Sequence, residues 1–282
     1  MDPHHAASRK HTCWTLWLKH RGVKCPFIKD LSHLSPEIEF LELLFAGGHS
    51  YLFKVRLQDA IYTLKLYTLT QPHWSRSRFE RNAWEMDPFI VECQVYDYLI
   101  ESKQVGVVGP YCHGWLKIDK AQELSLERKL HQTLDWQRRA DTAEDPIRGL
   151  LLEYIDGCTI DKAHITAAGA QSLRDQLSHL HSLDIAHGDL VPQNIMASND
   201  GRALLVDFSS ANLWPHSWYF IREREDFLRC LESEKRVLEL LLFRLQKLKR
   251  HQGMTFSTAQ SEEEAYGHPV CDWENANYAV VE

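Results

Sequence analysis

Asp189 and Asn194 stand five residues apart in His187-Gly188-Asp189-Leu190-Val191-Pro192-Gln193-Asn194, and Asp207 follows thirteen residues later, at the end of the apolar run Leu204-Leu205-Val206. Such a set brings three hard oxygen ligands to one cleft. Phosphoryl transfer to an alcohol needs them: one carboxylate to orient the hydroxyl and accept its proton, and two oxygen donors for Mg2+ on the phosphates. Any one of these residues alone would do no more than shape a turn or cap a strand. The combination assigns Asp189 as the base and Asn194 and Asp207 as the metal ligands.

Elements on either side must position these groups. Residues 40–67 read as antiparallel strands: Phe40 to Phe45, a Gly47-Gly48 break, Leu52 to Leu57, and Ile61 to Tyr67 after a turn at Gln58-Asp59. Asp87-Pro88 supplies an N-cap and a proline at the first helical position, which predicts a helix to about Ser102. On it Phe89, Cys93, Tyr96 and Ile100 form the apolar stripe, with Glu92 at its edge. A carboxylate facing a core needs a partner. Lys65, mid-strand between Leu64 and Leu66, is the natural one; Glu80 and Glu85 compete for Glu92's place but precede Pro88 in polar surroundings.

Strand-like sequence continues at 105–118 and 149–155, separated by a charged, partly helical stretch, 119–146, that reads as an insertion without assignable chemistry. Leu173, Leu177, Leu180 and Leu183 recur at helical spacing up to the His187 loop. Ile195-Met196 and Leu204 to Val206 flank Asn199-Asp200-Gly201 as a hairpin. A long helix spans about 221–251, its Leu231, Leu238, Leu245 and Leu241, Leu248 marking a seam for packing on its own lobe.

The two motifs resemble the protein-kinase-like superfamily, whose catalytic loop H-R-D-L-x-x-x-N and magnesium motif D-F-G correspond to His187 to Asn194 and Asp207-Phe208-Ser209. Within it, the segments at 88–99, 110–115, 146–148 and 207–211 look like fungal protein-kinase-like domains, and the resemblance covers about residues 43–250. It implies an α+β, bilobal fold: a small antiparallel β N-lobe with one helix and a shortened, mainly helical C-lobe. The chain then divides into an extension, 1–42, an N-lobe, 43–152, containing the 119–146 insertion, a C-lobe, 153–252, and an acidic tail, 253–282. It also implies ATP with Mg2+, Lys65 held by Glu92 on the phosphates, and a phosphate-covering loop drawn from Gly47, Gly48 and Ser50 with Val55 in the following strand. Leu150 to Gly157 is similar to the hinge, where Leu152, the Glu153 carbonyl and the Ile155 N–H would meet adenine.

The chain departs from the pattern at four points. Gly188 replaces the arginine before the catalytic Asp, so no phosphate-controlled activation segment is expected. Ser209 stands for the glycine of D-F-G, Val191 for the lysine two residues after the Asp, and no A-P-E follows. The acceptor is expected to be a protein Ser/Thr hydroxyl; Gly188, Val191 and the missing A-P-E support the alternative, a small-molecule acceptor of the aminoglycoside or choline type, and Ser209 with the sparse glycine loop supports a third reading, a nucleotide-holding pseudokinase.

Composition sets the remaining bounds. The 282 residues are 44% hydrophobic and 25% charged, which excludes a mostly disordered chain. No apolar run approaches the roughly 20 residues of a membrane span. A net charge of -7 gives no pull toward nucleic acid. Residues 1–35 hold six basic and two acidic side chains, while 252–282 hold six acidic and no Lys or Arg, read as two solvated ends. The seven cysteines include no C-x-x-C pair, so neither a disulfide framework nor a zinc site is expected, and the sixteen histidines lack zinc-site company. The chain is expected to be intracellular, cytoplasmic with the nucleus as a second location, and its oligomeric state stays open.

Overall fold

The computed structural model describes residues 25–69, 87–163, 165–215 and 223–250. The tryptophans at 14 and 17, the Arg-rich stretch with Glu80 and Glu85, and the acidic tail lie outside the described residues. The fold is α+β. Strands β1 (Glu39–Ala46), β2 (Ser50–Leu57), β3 (Ala60–Tyr67), β4 (Cys112–Ile118) and β5 (Ile147–Glu153) form one antiparallel sheet in the order β1-β2-β3-β5-β4. Between β3 and β4 comes α1 (Pro88–Glu101), which packs under β5 and against the turn at Phe208. The second half carries a three-stranded sheet of β6 (Gly157–Thr159), β8 (Ile195–Ser198) and β9 (Ala203–Leu205), with the small pair β7 (Ile185–Ala186) and β10 (Asn212–Leu213). Helices α3 (Ala167–Ser182) and α4 (Arg224–Arg250) support it.

Local chemistry fixes the start of α1. Asp87 accepts the Phe89 N–H at 3.0 Å, a cap worth about 1 kcal/mol, and its other carboxylate oxygen takes Arg148 of β5 at 2.7 Å. One side chain thus ends the helix and ties it to the sheet. The strand expected over 105–118 begins only at Cys112, because Gly106 and Gly109 adopt φ of +81° and +69° and turn the chain before it. The Gly109 N–H is taken by buried Gln176 of α3, whose amide also bonds the Leu205 N–H and the Ala203 carbonyl.

Register divides the sheet into two apolar faces. Thr63, Lys65 and Tyr67 lie opposite Lys54, Leu52 and Ser50 of β2, and Thr63 and Lys65 lie opposite Leu152 and Leu150 of β5. Directly paired residues share a face, so these form the inner face, toward α1. The outer face carries Phe53, Val55, Leu57, Leu64, Leu66, Leu116, Ile118, Ile147 and Leu151. The insertion covers it: α2 (Lys120–Leu130) and the segment after it bury Leu126, Leu134 and Trp136 on this face. Buried Glu123 of α2 is paired with Arg138, whose guanidinium also reaches the carbonyls of Thr142, Ala143 and Asp145.

On α4, Leu238, Leu241, Leu242 and Leu245 enter the main core and Leu231 packs with Phe227 and Ala186, so the leucine seam serves its own lobe. Among the described residues, no helix is long and apolar enough to cross a membrane.

Candidate active site

Lys65 is the centre of the site. Its Nζ donates to Glu92 Oε2 at 2.6 Å and to Asp207 Oδ1 at 2.7 Å, in a setting where Lys65 is 3% exposed and Glu92 fully buried. The Tyr67 hydroxyl donates to the same Glu92 oxygen. Burial alone would drive the Lys65 proton off, but Asp207 and then Glu92 outweigh it and raise the pKa. Burial dominates at Glu92, raising its pKa in spite of Lys65. Burial opposes ionisation at Asp207 as well, yet the Lys65 ammonium holds that carboxyl well below the usual range. The Lys65 side chain thus lies between the carboxyl groups of Glu92 and Asp207.

Asp207 sits at φ 64°, ψ 76°, and caps a short 3-10 turn, Phe208–Ser210. That backbone turns Phe208 inward, where its ring meets Tyr96 of α1 at 5.5 Å and His187 at 5.3 Å. Asp207 Oδ1 is filled by Lys65, the Ser209 N–H at 3.2 Å and the Ser209 hydroxyl at 2.5 Å. These three contacts all fall on Oδ1 and none on Oδ2. Asn194 donates its amide to the Asp189 carbonyl at 3.0 Å and to Asp189 Oδ2 at 2.8 Å, which leaves the Asn194 carbonyl oxygen as the second donor. A carboxylate and a carboxamide oxygen beside a fixed ammonium suit a hard divalent cation carrying phosphates.

Backbone clamping holds the Asp189 loop. Glu234 of α4 accepts the Gly188 N–H at 2.6 Å, the His187 N–H at 3.0 Å and a bond from His181 at 2.8 Å. His187 itself is a loop-former, with Nε2 bonded to the Val206 carbonyl at 3.1 Å and its pKa lowered by burial. Glu234 was missed in the sequence, although a carboxylate between Leu231 and Leu238 on an apolar seam is a signal for a buried partner. Gly188 has a steric reason: at φ +82° a Cβ there would lie 1.9 Å from the Ser210 carbonyl oxygen.

Around this centre the expected nucleotide-facing residues divide. Leu152 and Ser50 lie on the inner face with Lys65, and Gly47 and Gly48 form the turn into β2. Val55 does not: it is fully buried on the outer face, opposite Tyr62, so its assignment to the nucleotide is corrected. Inner-face parity gives its place to Lys54, opposite Thr63. Lys54 Nζ is 3.2 Å from the Tyr154 hydroxyl and 4.3 Å from the ring centroid, linking the sheet to the hinge. Glu153, expected to offer its carbonyl to adenine, spends its carboxylate on Arg202 at 2.7 Å and the Tyr111 N–H at 3.0 Å, while Ile155 follows in the extended connection. His49, unassigned by motif, bonds Ser209 Oγ at 3.0 Å across the cleft. Burial and then Lys65 lower its pKa, so the imidazole is neutral at neutral pH.

A model of the family of the kinetochore Sim4 complex subunit FTA2 matches residues 21–212. The chain belongs to that family. The matched span takes in residues 25–38 and the 119–146 insertion, both outside the kinase motifs, and ends just past the Asp207 turn. Mitogen-activated protein kinase kinase 9 of Arabidopsis thaliana is 28% identical over 104 residues, covering 30% of this chain and 34% of that protein. This FTA2-family chain thus spans about a third of the length of that curated relative, a weak kinase-like relationship.

Proposed function

We propose that this FTA2-family chain is an ATP- and Mg2+-dependent phosphotransferase that acts on Ser/Thr hydroxyls of proteins in a nuclear, kinetochore-type assembly. The observation that supports this reading is the single network running Tyr67–Glu92–Lys65–Asp207–Ser209, with Phe208 turned inward between α1 and the catalytic loop. Bound Mg2+-ATP would supply the transferring phosphoryl group and the cation that neutralises it. Lys65 would hold the phosphates, and Asp207 and Asn194 the metal. Asp189, fixed by Asn194, would take the acceptor's proton as the acceptor oxygen bonds to the γ-phosphorus and the bridging oxygen departs with ADP. Gly188, pressed against Ser210, stands at the position where an arginine would read a phosphorylated activation segment.

Thermal-shift titration with ATP, with and without Mg2+, tests the reading on the wild type and Asp207→Asn. At a hundredfold excess over the dissociation constant a ligand stabilises by about 2.7 kcal/mol, several degrees for a chain of this size. The expected result is a Mg2+-dependent shift that Asp207→Asn abolishes; equal, metal-independent shifts in both would sink it. Labelled-phosphate transfer to a protein panel, against a choline and aminoglycoside panel, then identifies the acceptor class.

One pair of contacts favours a second reading, a scaffold that holds its cleft shut. Lys54–Tyr154 and His49–Ser209 both bridge the cleft where a nucleotide would lie. If the wild type gives no Mg2+-ATP shift while His49→Ala or Lys54→Ala gains one, this second reading stands.

A further inference from the structure

Residues 25–31 precede every kinase-type motif, yet they are built into the back of α1. Asp97 Oδ1 accepts the backbone N–H groups of Phe27 at 2.7 Å and Ile28 at 3.0 Å. Cys25 and Ile28 are buried in the same apolar cluster as Cys93, Tyr96 and Leu99 of α1. The chain then runs along β4: the Trp115 N–H donates to the Lys29 carbonyl at 2.9 Å, and the Leu31 N–H donates to the Trp115 carbonyl at 2.7 Å. Gly114 makes room for this crossing, since a Cβ there would lie 2.5 Å from the Lys29 carbonyl oxygen and 2.8 Å from Leu31.

Asp97 follows Glu92 by five residues, about 140° around a helix of 3.6 residues per turn. The two carboxylates therefore leave α1 in different directions, one to Lys65 and one to the N-terminal segment. A helix held on both sides cannot roll about its axis without breaking one set of bonds. A buried carboxylate accepting two amides is a strong restraint, because hydrogen bonds to charged groups exceed neutral ones in strength.

We propose that residues 25–31 are a built-in clamp that fixes the rotation of α1 and so keeps Glu92 on Lys65, with Asp97 as the positioning residue. The proposal rests on the kinase reading of the Lys65 cluster for its consequence, but its geometry is tested without nucleotide. In the full-length chain, the rate of Lys65 acetylation by acetic anhydride, mapped by mass spectrometry, reports the Lys65–Glu92 pair. Amide hydrogen exchange over 89–99 reports α1.

Asp97→Ala is expected to raise both rates at least threefold, and Asp97→Asn, which keeps an acceptor oxygen, to stay near wild type. Gly114→Ala, which displaces 29–31 without touching Asp97, is expected to raise both rates as well and carries the test if Asp97→Ala does not fold. In a Glu92→Gln background the Asp97 substitution is expected to produce no further change at Lys65. Faster exchange confined to 25–31, or a Lys65 rate that does not move, overturns the clamp. If the wild type gives no Mg2+-ATP shift, the kinase reading fails on its own, and the acetylation and exchange rates still decide the clamp.

Discussion

Lys65 and Gly188 define the site by opposite means, one by charge and one by the lack of a side chain. Removing one partner of a buried ion pair costs about 3–5 kcal/mol, because the charge left behind has no solvent. Lys65→Met should therefore destabilise the chain by about that amount in urea unfolding, with Tyr67 alone left on Glu92. A loss below about 1 kcal/mol would mean that Glu92 becomes neutral at little cost. Gly188→Ala should cost about 1–3 kcal/mol from its backbone conformation alone and more from the Ser210 contact. The same variant should lose any Mg2+-ATP shift, since the His187–Asn194 loop must move. Asp189, Asn194 and Asp207 were legible from spacing, because the chemistry demands those residue types. His49 and Glu234 were not: their roles come from partners 160 and 46–53 positions away in the chain.

Elements carry the next set of consequences. On α1, burial raises the Asp97 carboxyl to about 6 against the two amide bonds, with Glu101 adding repulsion. A raised folded-state pKa gives stability that is complete below the unfolded value, near 3.8, and lost as pH climbs through about 6. Asp97→Asn should flatten the stability profile between those limits; an unchanged slope there would remove Asp97 from the account. The insertion is the second case. Trp136 packs on Tyr51 at 5.2 Å between ring centroids, and Gln137 donates to the Gly48 carbonyl at 3.0 Å, so this segment holds the turn into β2 from outside. Trp136→Ala should cost about 3–5 kcal/mol and speed amide exchange over 47–51, measured by urea unfolding and exchange mass spectrometry. Sequence patterning marked the long strands of the main sheet, apart from the start of β4, but not the insertion's role, because a strand apolar on both faces does not reveal which face lacks cover.

Across the whole molecule, the Tyr96–Phe208–His187 ring series joins α1 to the His187–Asn194 loop. Phe208→Ala should cost about 3–5 kcal/mol and uncouple the halves, so that exchange over 89–99 and over 185–195 no longer responds together to added Mg2+-ATP. Coincident responses in that variant would move the coupling elsewhere, with Gln176 the next candidate. The two segments with no kinase motif, 25–31 and the insertion, each brace one part of the site from behind.

The sequence by itself marked the α+β class, the main strands and long helices, and the five polar candidates at 65, 92, 189, 194 and 207, because turn chemistry, hydrophobic period and metal-ligand types are local properties. Only the tertiary structure decided that Lys54, not Val55, shares the inner face with Lys65, that Glu234 anchors the His187–Asn194 loop, and that 25–31 grips α1. Each of these depends on strand register or on a contact between distant segments, and a one-residue shift in register turns every side chain to the opposite face.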